Sequence, residues 1–195
     1  LAKIRGLTVV PRFVAMHYRG STQRPRDLGA ELHVASLVTG SVQRVDRKVR
    51  VTLQLIDTRT EAGGWTWQRD YELKDADVMA IQTEVATAIA TELRVVLSPQ
   101  EEKLLAQRPT QSVEAYDAYL KIRADRYTGT SVNRARYREL EELALKAVGL
   151  DPKFAEAWAE LARARSNFFQ FNFDQSPALV AKTTDAIEMA WRLAP

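Results

Sequence analysis

Residues with the types needed for chemistry are few in this chain of 195 residues, and they are scattered. There are two histidines, His17 and His33, and no cysteine, so thiolate nucleophiles, disulfides and Cys/His metal clusters are excluded. Neither histidine has a second His or a carboxylate at ligand spacing, as in H-E-x-x-H, so zinc chemistry lacks its donor set. The pairs Asp75/Asp77 and Glu101/Glu102 have the right types for a general acid and base. Helix-start positions account for them, because carboxylates are favoured at the positive end of a helix dipole. Gly40-Ser41 lacks the second glycine and the lysine of a phosphate loop, and Gly63-Gly64 lies between strands with no helix to follow. Ser41 has no G-x-S-x-G elbow around it. The residues thus point to a non-catalytic chain with no cofactor and no metal.

The elements that would position any site are easier to read. Leu7 to Val14 is rich in β-formers, and the polar, Gly and Pro residues from Arg19 to Pro25 read as a loop. A short helix capped by Asp27 follows, with Leu28 and Leu32 inward. Ser36 to Val42 is a strand, and Val49, Val51, Leu53 and Leu55 alternate with Arg50, Thr52 and Gln54 as a half-buried strand should. Val45-Asp46-Arg47-Lys48 joins the two as a hairpin. After a turn at Thr58 to Gly64, Trp65, Trp67, Arg69, Tyr71 and Leu73 share one face of a third strand. Val78, Ile81, Val85, Ile89, Leu93 and Val96 then predict a long amphipathic helix covering one sheet face. Ser98-Pro99-Gln100-Glu101 is a capping box with Pro at the first helical position.

From there the pattern is helical and repetitive. Ala147-x-x-Leu150-Asp151-Pro152 returns 43 positions later as Ala190-x-x-Leu193-Ala194-Pro195, with Trp158-x-x-Leu161-Ala162 between. A small Ala lets helices approach, Leu packs between them and Pro stops the helix. The segment Ala144 to Ala164 resembles the junction of two tetratricopeptide repeats, with Arg165 where that motif prefers Tyr. Against the usual period of about 34 residues, the excess is expected within Phe168 to Pro177. Tyr116 stands 42 positions before Trp158, so the preceding repeat is elongated too. Ala147, Pro152, Trp158, Leu161, Ala190 and Pro195 are the expected packing residues, with Trp158→Ala costing about 3 to 5 kcal/mol if Trp158 is core. Phe171 and Phe173 are read two ways, as packing for the elongated repeat or as a partner-binding surface.

Upstream, Gly6-Leu7-Thr8-Val9-Val10, Asp27 to Leu32, Thr39-Gly40-Ser41-Val42, Val49 to Asp57 and Trp65 resemble the TolB amino-terminal-like domain that precedes tetratricopeptide repeats in bacterial membrane regulators. The resemblance implies a class III adenylate cyclase or a winged-helix DNA-binding domain elsewhere in the longer protein, and a periplasmic position, with a cytoplasmic one as the alternative. It also implies a strand and a helix before the first strand seen here, with Leu1 to Ile4 as that helix's last turn.

The fold class expected is therefore α+β: a small mixed sheet with covering helices over residues 1–97, then all-α repeats over 98–195. An apolar content of 46% suits a folded core, and no apolar run is long enough to span a bilayer. Residues 1–75 hold 13 Lys or Arg against 8 Asp or Glu, and residues 76–195 hold 15 against 17. That first-half excess is dispersed along strands rather than gathered in a block, so it reads as a solvated face and not as a nucleic-acid site. The function expected is interaction or sensing, with a protein or peptide partner held by the repeats. Association between copies is also open. The two alternatives are the regulatory region of a cyclase and the sensor of a winged-helix regulator.

Overall fold

The computed structural model describes residues 4–72, 77–128 and 132–194, apart from the side chains of Val45, Tyr127 and Thr128. Leu73, Asp75 and Pro195, singled out above, lie outside these residues. The chain forms two compact units, 1–107 and 108–195. The first is α+β and the second is helical, the order the sequence implies.

In the first unit, helices α1 (Arg12–Met16) and α2 (Pro25–Leu32) precede strands β1 (Ser36–Val45), β2 (Lys48–Asp57) and β3 (Gly63–Glu72), and helices α3 (Val78–Glu92) and α4 (Pro99–Ala106) follow. The sheet has the order β1-β2-β3 and both pairings are antiparallel. Leu7 to Val14 does not join it. Pro11 has no N–H to give a ladder and instead starts the single turn of α1, so β propensity there loses to local chain geometry.

The hairpin falls where expected, turning at Asp46 with φ 56°. Its register places Val38, Gly40 and Val42 beside Leu55, Leu53 and Val51, and these beside Trp65, Trp67 and Arg69. One face is therefore largely apolar, while Thr39, Thr52 and Gln68 lie on the other. Gly40 is required at its place: a Cβ there would lie 2.4 Å from the Thr52 carbonyl oxygen. Helix α3 is fixed to β3 by Glu84, which accepts from the Tyr71 hydroxyl at 2.8 Å and pairs with Arg69 at 3.1 Å.

Three expectations change here. Asp27 does not cap α2; Pro25 occupies the first helical turn, Arg24 is the N-cap, and Asp27 pairs with Arg24 from within the helix. Val96 is 92% exposed because α3 ends at Glu92, before the apolar stripe runs out. The unit boundary falls after α4, whereas the capping box suggested a boundary before it. Thr83 donates to the Leu105 carbonyl and the Arg5 N–H donates to Glu101, so α4 belongs with what precedes it.

The second unit contains α5 (Val113–Thr128), α6 (Arg134–Leu150), α7 (Ala155–Gln170) and α8 (Pro177–Leu193). Their lengths are 16, 17, 16 and 17 residues. From α5 to α7 the helix start advances by 42 positions (155 minus 113), and from α6 to α8 by 43 (177 minus 134). The added length over a period of about 34 sits mainly in the helices themselves, not in Phe168 to Pro177. Phe168 to Gln170 simply continue α7, and only 171–176 form the turn.

Candidate partner-binding surface

Five of the six packing residues named from the repeat lie among the described residues, Pro195 being the exception. Ala147 is fully buried and Leu161 is 1% exposed, in the α6 and α7 cores. Ala190 is half-buried on α8, and Pro152 is exposed in the turn between α6 and α7. Trp158 is only half-buried; its indole N–H donates to the Pro152 carbonyl at 2.9 Å, so it braces the turn from one side. The residue that fills the centre is Phe154, which is fully buried with ring centroids 5.2 Å from Tyr119 and 6.5 Å from Tyr116. Sequence reading missed it because it precedes the helix as an N-cap with no capping side chain. The Asp-Pro turn is held from below as well: Asp151 accepts from the Thr110 hydroxyl and from the Lys153 N–H at 2.9 Å.

Phe171 and Phe173 come together with Tyr137 and Phe168. Tyr137 and Phe171 stack at 5.4 Å with 7° between planes, and Phe168 meets Phe173 edge-on at 6.3 Å. Both Phe171 and Phe173 are half-buried. Asn172 at φ 57° terminates α7, and the Phe173 N–H returns to the Phe168 carbonyl. The cluster joins α6 to the end of α7.

Charged groups complete the helical unit. Glu160, buried, takes Arg126 from α5 and Arg163 from its own helix, and Arg136 of α6 pairs with Asp125 of α5 at 2.7 Å. Arg165, the departure from the repeat motif, pairs with Glu141 of α6 at 2.8 Å and donates to the Lys182 carbonyl of α8 at 2.8 Å. It therefore spans three helices. Its position on α7 is the only trace that the sequence leaves of this role.

The face left open is that of α8. Val180, Ile187 and Trp191 are exposed, Trp191 by 68%. Beside them runs a shallow groove of about 240 Å³ lined by Ser166, Phe169, Leu179, Val180, Thr183 and Thr184. Phe169, outside the aromatic cluster, contributes a half-exposed ring to its wall. This surface can take up an apolar group by burial; it offers little for proton transfer. Among the described residues no three His, Asp or Glu side chains gather as a metal site. His17 Nδ1 lies 2.8 Å from the Phe13 carbonyl, and His33 ends α2 in the left-handed region. Asp77 caps α3, accepting from the N–H groups of Met79 and Ala80. Glu101 completes its capping box, and hydrogen bonds from the Ser98 hydroxyl, the Ser98 N–H and the Arg5 N–H pull its carboxyl down to about 2. Among the described residues no helix is long and apolar enough to cross a membrane.

No family profile matches the chain, and no solved structure matches it. It is similar to the protein named "Putative adenylate cyclase 3" of Rhizobium meliloti (strain 1021), with 32% identity over 162 residues. That match takes in 83% of this chain and 27% of the relative, so the chain spans about a quarter of the length of the protein it resembles.

Proposed function

We propose that this chain is a non-catalytic interaction and sensing part of a bacterial signalling protein, in which tetratricopeptide-like repeats over α5 to α8 bind a partner protein or peptide. The reading rests on one observation above all: the exposed stripe of Val180, Ile187 and Trp191 beside an apolar groove. Large apolar side chains aligned on one helix face mark a surface that gains by being covered. The aromatic cluster of Phe171 and Phe173 supports that surface by fixing the end of α7 that leads into α8.

The similarity to a cyclase-named protein favours the regulatory region of an adenylate cyclase as the setting, with this chain belonging to the part that does not form cyclic AMP. The α+β unit, read as TolB amino-terminal-like, then stands before the repeats. The test is cyclic AMP formation by the longer polypeptide, measured with the native α8 and with Ile187→Ser and Trp191→Ser combined. Altered output from a protein that still folds supports the reading. Output identical to the native protein sinks it.

A further inference from the structure

The ion pairs of the helical unit are not all balanced. Asp125 is matched by Arg136 and Glu141 by Arg165, and in both pairs the arginine side chain is sheltered, 18% and 11% exposed. Glu160 is matched twice, by Arg126 of α5 and by Arg163 of α7, whose side chains are 38% and 39% exposed while its own is 7% exposed. Arg126 donates through Nη2 to Oε1, and Arg163 donates through Nε and Nη2 to Oε2. One buried carboxylate therefore fixes two guanidiniums side by side, and the group keeps a surplus of one positive charge. A guanidinium carries its N–H donors in a planar fork of five. Glu160 takes one from Arg126 and two from Arg163, so both arginines have donors left at their exposed edges.

We infer that the exposed edges of Arg126 and Arg163 bind one carboxylate of a ligand, with Glu160 as the positioning residue that holds both arginines for it. Charge decides the class. A single carboxylate brings the group to neutrality, whereas a phosphate dianion leaves a net negative charge beside the buried Glu160, which is unfavourable. Geometry agrees, because the two guanidiniums already share one planar two-oxygen group, each arginine taking one oxygen, and a second such group is bridged in the same way. Glu160 also lowers the cost of binding, since two long side chains that would lose rotamer freedom on meeting a ligand are already held. The site lies on α5 and α7, away from the α8 stripe, and adds a ligand chemistry that the stripe does not supply.

Two sources supply such a carboxylate, a free acid and an acidic side chain of a peptide, and the probes separate them. They are acetate, the blocked peptide acetyl-Ala-Ala-Glu-Ala-Ala-amide, and the same peptide with Gln in place of Glu. Each is titrated into the 195-residue chain at neutral pH and low chloride, with the arginine Nε–H signals followed by nuclear magnetic resonance. The expected result is saturable movement of the Arg126 and Arg163 signals with a carboxylate probe and none with the Gln peptide. Acetate binding as tightly as the Glu peptide assigns the site to free acids, and a tighter Glu peptide assigns it to a partner's side chain; both support the carboxylate. Arg163→Lys keeps the charge and loses the fork, so it should weaken binding roughly tenfold. Circular dichroism shows whether that variant keeps its fold, and Arg126→Lys serves as the second variant. No saturable movement of either signal overturns the inference, as does an equal response to the Gln peptide or tighter binding of inorganic phosphate than of acetate. Unchanged affinity in both lysine variants overturns it too. None of these outcomes bears on the cyclic AMP test of the α8 stripe, so the two readings fail separately.

Discussion

The two units of this molecule keep their apolar residues in different ways. Among the described residues, the first unit buries Ile4, Val51, Met79, Ala86, Ile89 and Ala90, while the other eighteen buried apolar residues belong to the helical unit. The sheet is amphipathic, with Val38 and Val42 still exposed on its apolar side, and much of what locates its elements is polar. Thr58 donates to the Val34 carbonyl, Glu84 takes Tyr71 and Arg69, and Glu101 takes Ser98 and the Arg5 N–H. The helical unit instead brings helices together through fully buried alanines, Ala144, Ala147, Ala157 and Ala186, and fills the space with aromatic rings. The lesson is that single side chains should matter most in the helical unit, and hydrogen-bond geometry and pH most in the sheet unit.

The sharpest test of the helical half is Phe154→Ala. A fully buried ring packed on two tyrosines leaves a cavity when removed, and the expected loss is about 3 to 5 kcal/mol in chemical denaturation followed by circular dichroism. A loss below about 1 kcal/mol would mean that the α5–α7 core collapses around the gap. Trp158→Ala should cost less, about 2 kcal/mol, since half a side chain and one hydrogen bond are lost. If Trp158→Ala proves the more damaging of the two, the ranking by burial is wrong.

In the sheet unit the comparable experiment is a tight contact rather than a cavity. A Cβ on Gly29 would lie 2.3 Å from Thr58 Cβ, and Thr58 is held by the Val34 and Ala35 carbonyls. Alanine in place of a helical glycine ordinarily gains up to about 1 kcal/mol. Here overpacking of typically 1 to 3 kcal/mol opposes it. The net expectation for Gly29→Ala is a loss of about 1 kcal/mol, read from the denaturation midpoint. A gain would show that α2 shifts freely on the β2–β3 turn.

What the sequence made legible follows the same division. Alternation through Val49 to Leu55 and the capping box at Ser98 are local signals, and both elements formed as read. The 43-residue recurrence was legible because Ala, Leu and Pro each have one local job. Phe154 was not, since nothing local distinguishes a buried ring from an exposed one ahead of a helix. Arg165 looked like a motif error; its partners Glu141 and Lys182 lie 24 and 17 residues away, on separate helices. Leu7 to Val14 had strand composition without a strand to pair with, and pairing, not composition, makes a strand. The difference between the open α8 stripe and its α6 counterpart needed burial at each equivalent position.

The smallest expected effects are those of pH, and they separate the two ends of the sheet unit. Burial and the hydrogen bond to Glu84 push the Tyr71 hydroxyl up to about 12. A raised value means that the unfolded chain ionises first, near 10. The contribution of Tyr71 is then complete below that pH and lost between about 10 and 12. Glu101 works in the opposite sense, because its carboxyl is held down to about 2 while the unfolded chain titrates near the usual 4.5. Its contribution is complete above the usual value and is lost as the pH falls from there toward 2. Tyr71→Phe should flatten the alkaline limb of a stability profile and leave the acid limb alone, and Glu101→Gln should do the reverse. Should Glu101→Gln leave the acid limb unchanged, the capping box and the Arg5 contact do not hold α4 to its unit, and the boundary at residues 107 and 108 loses its physical basis.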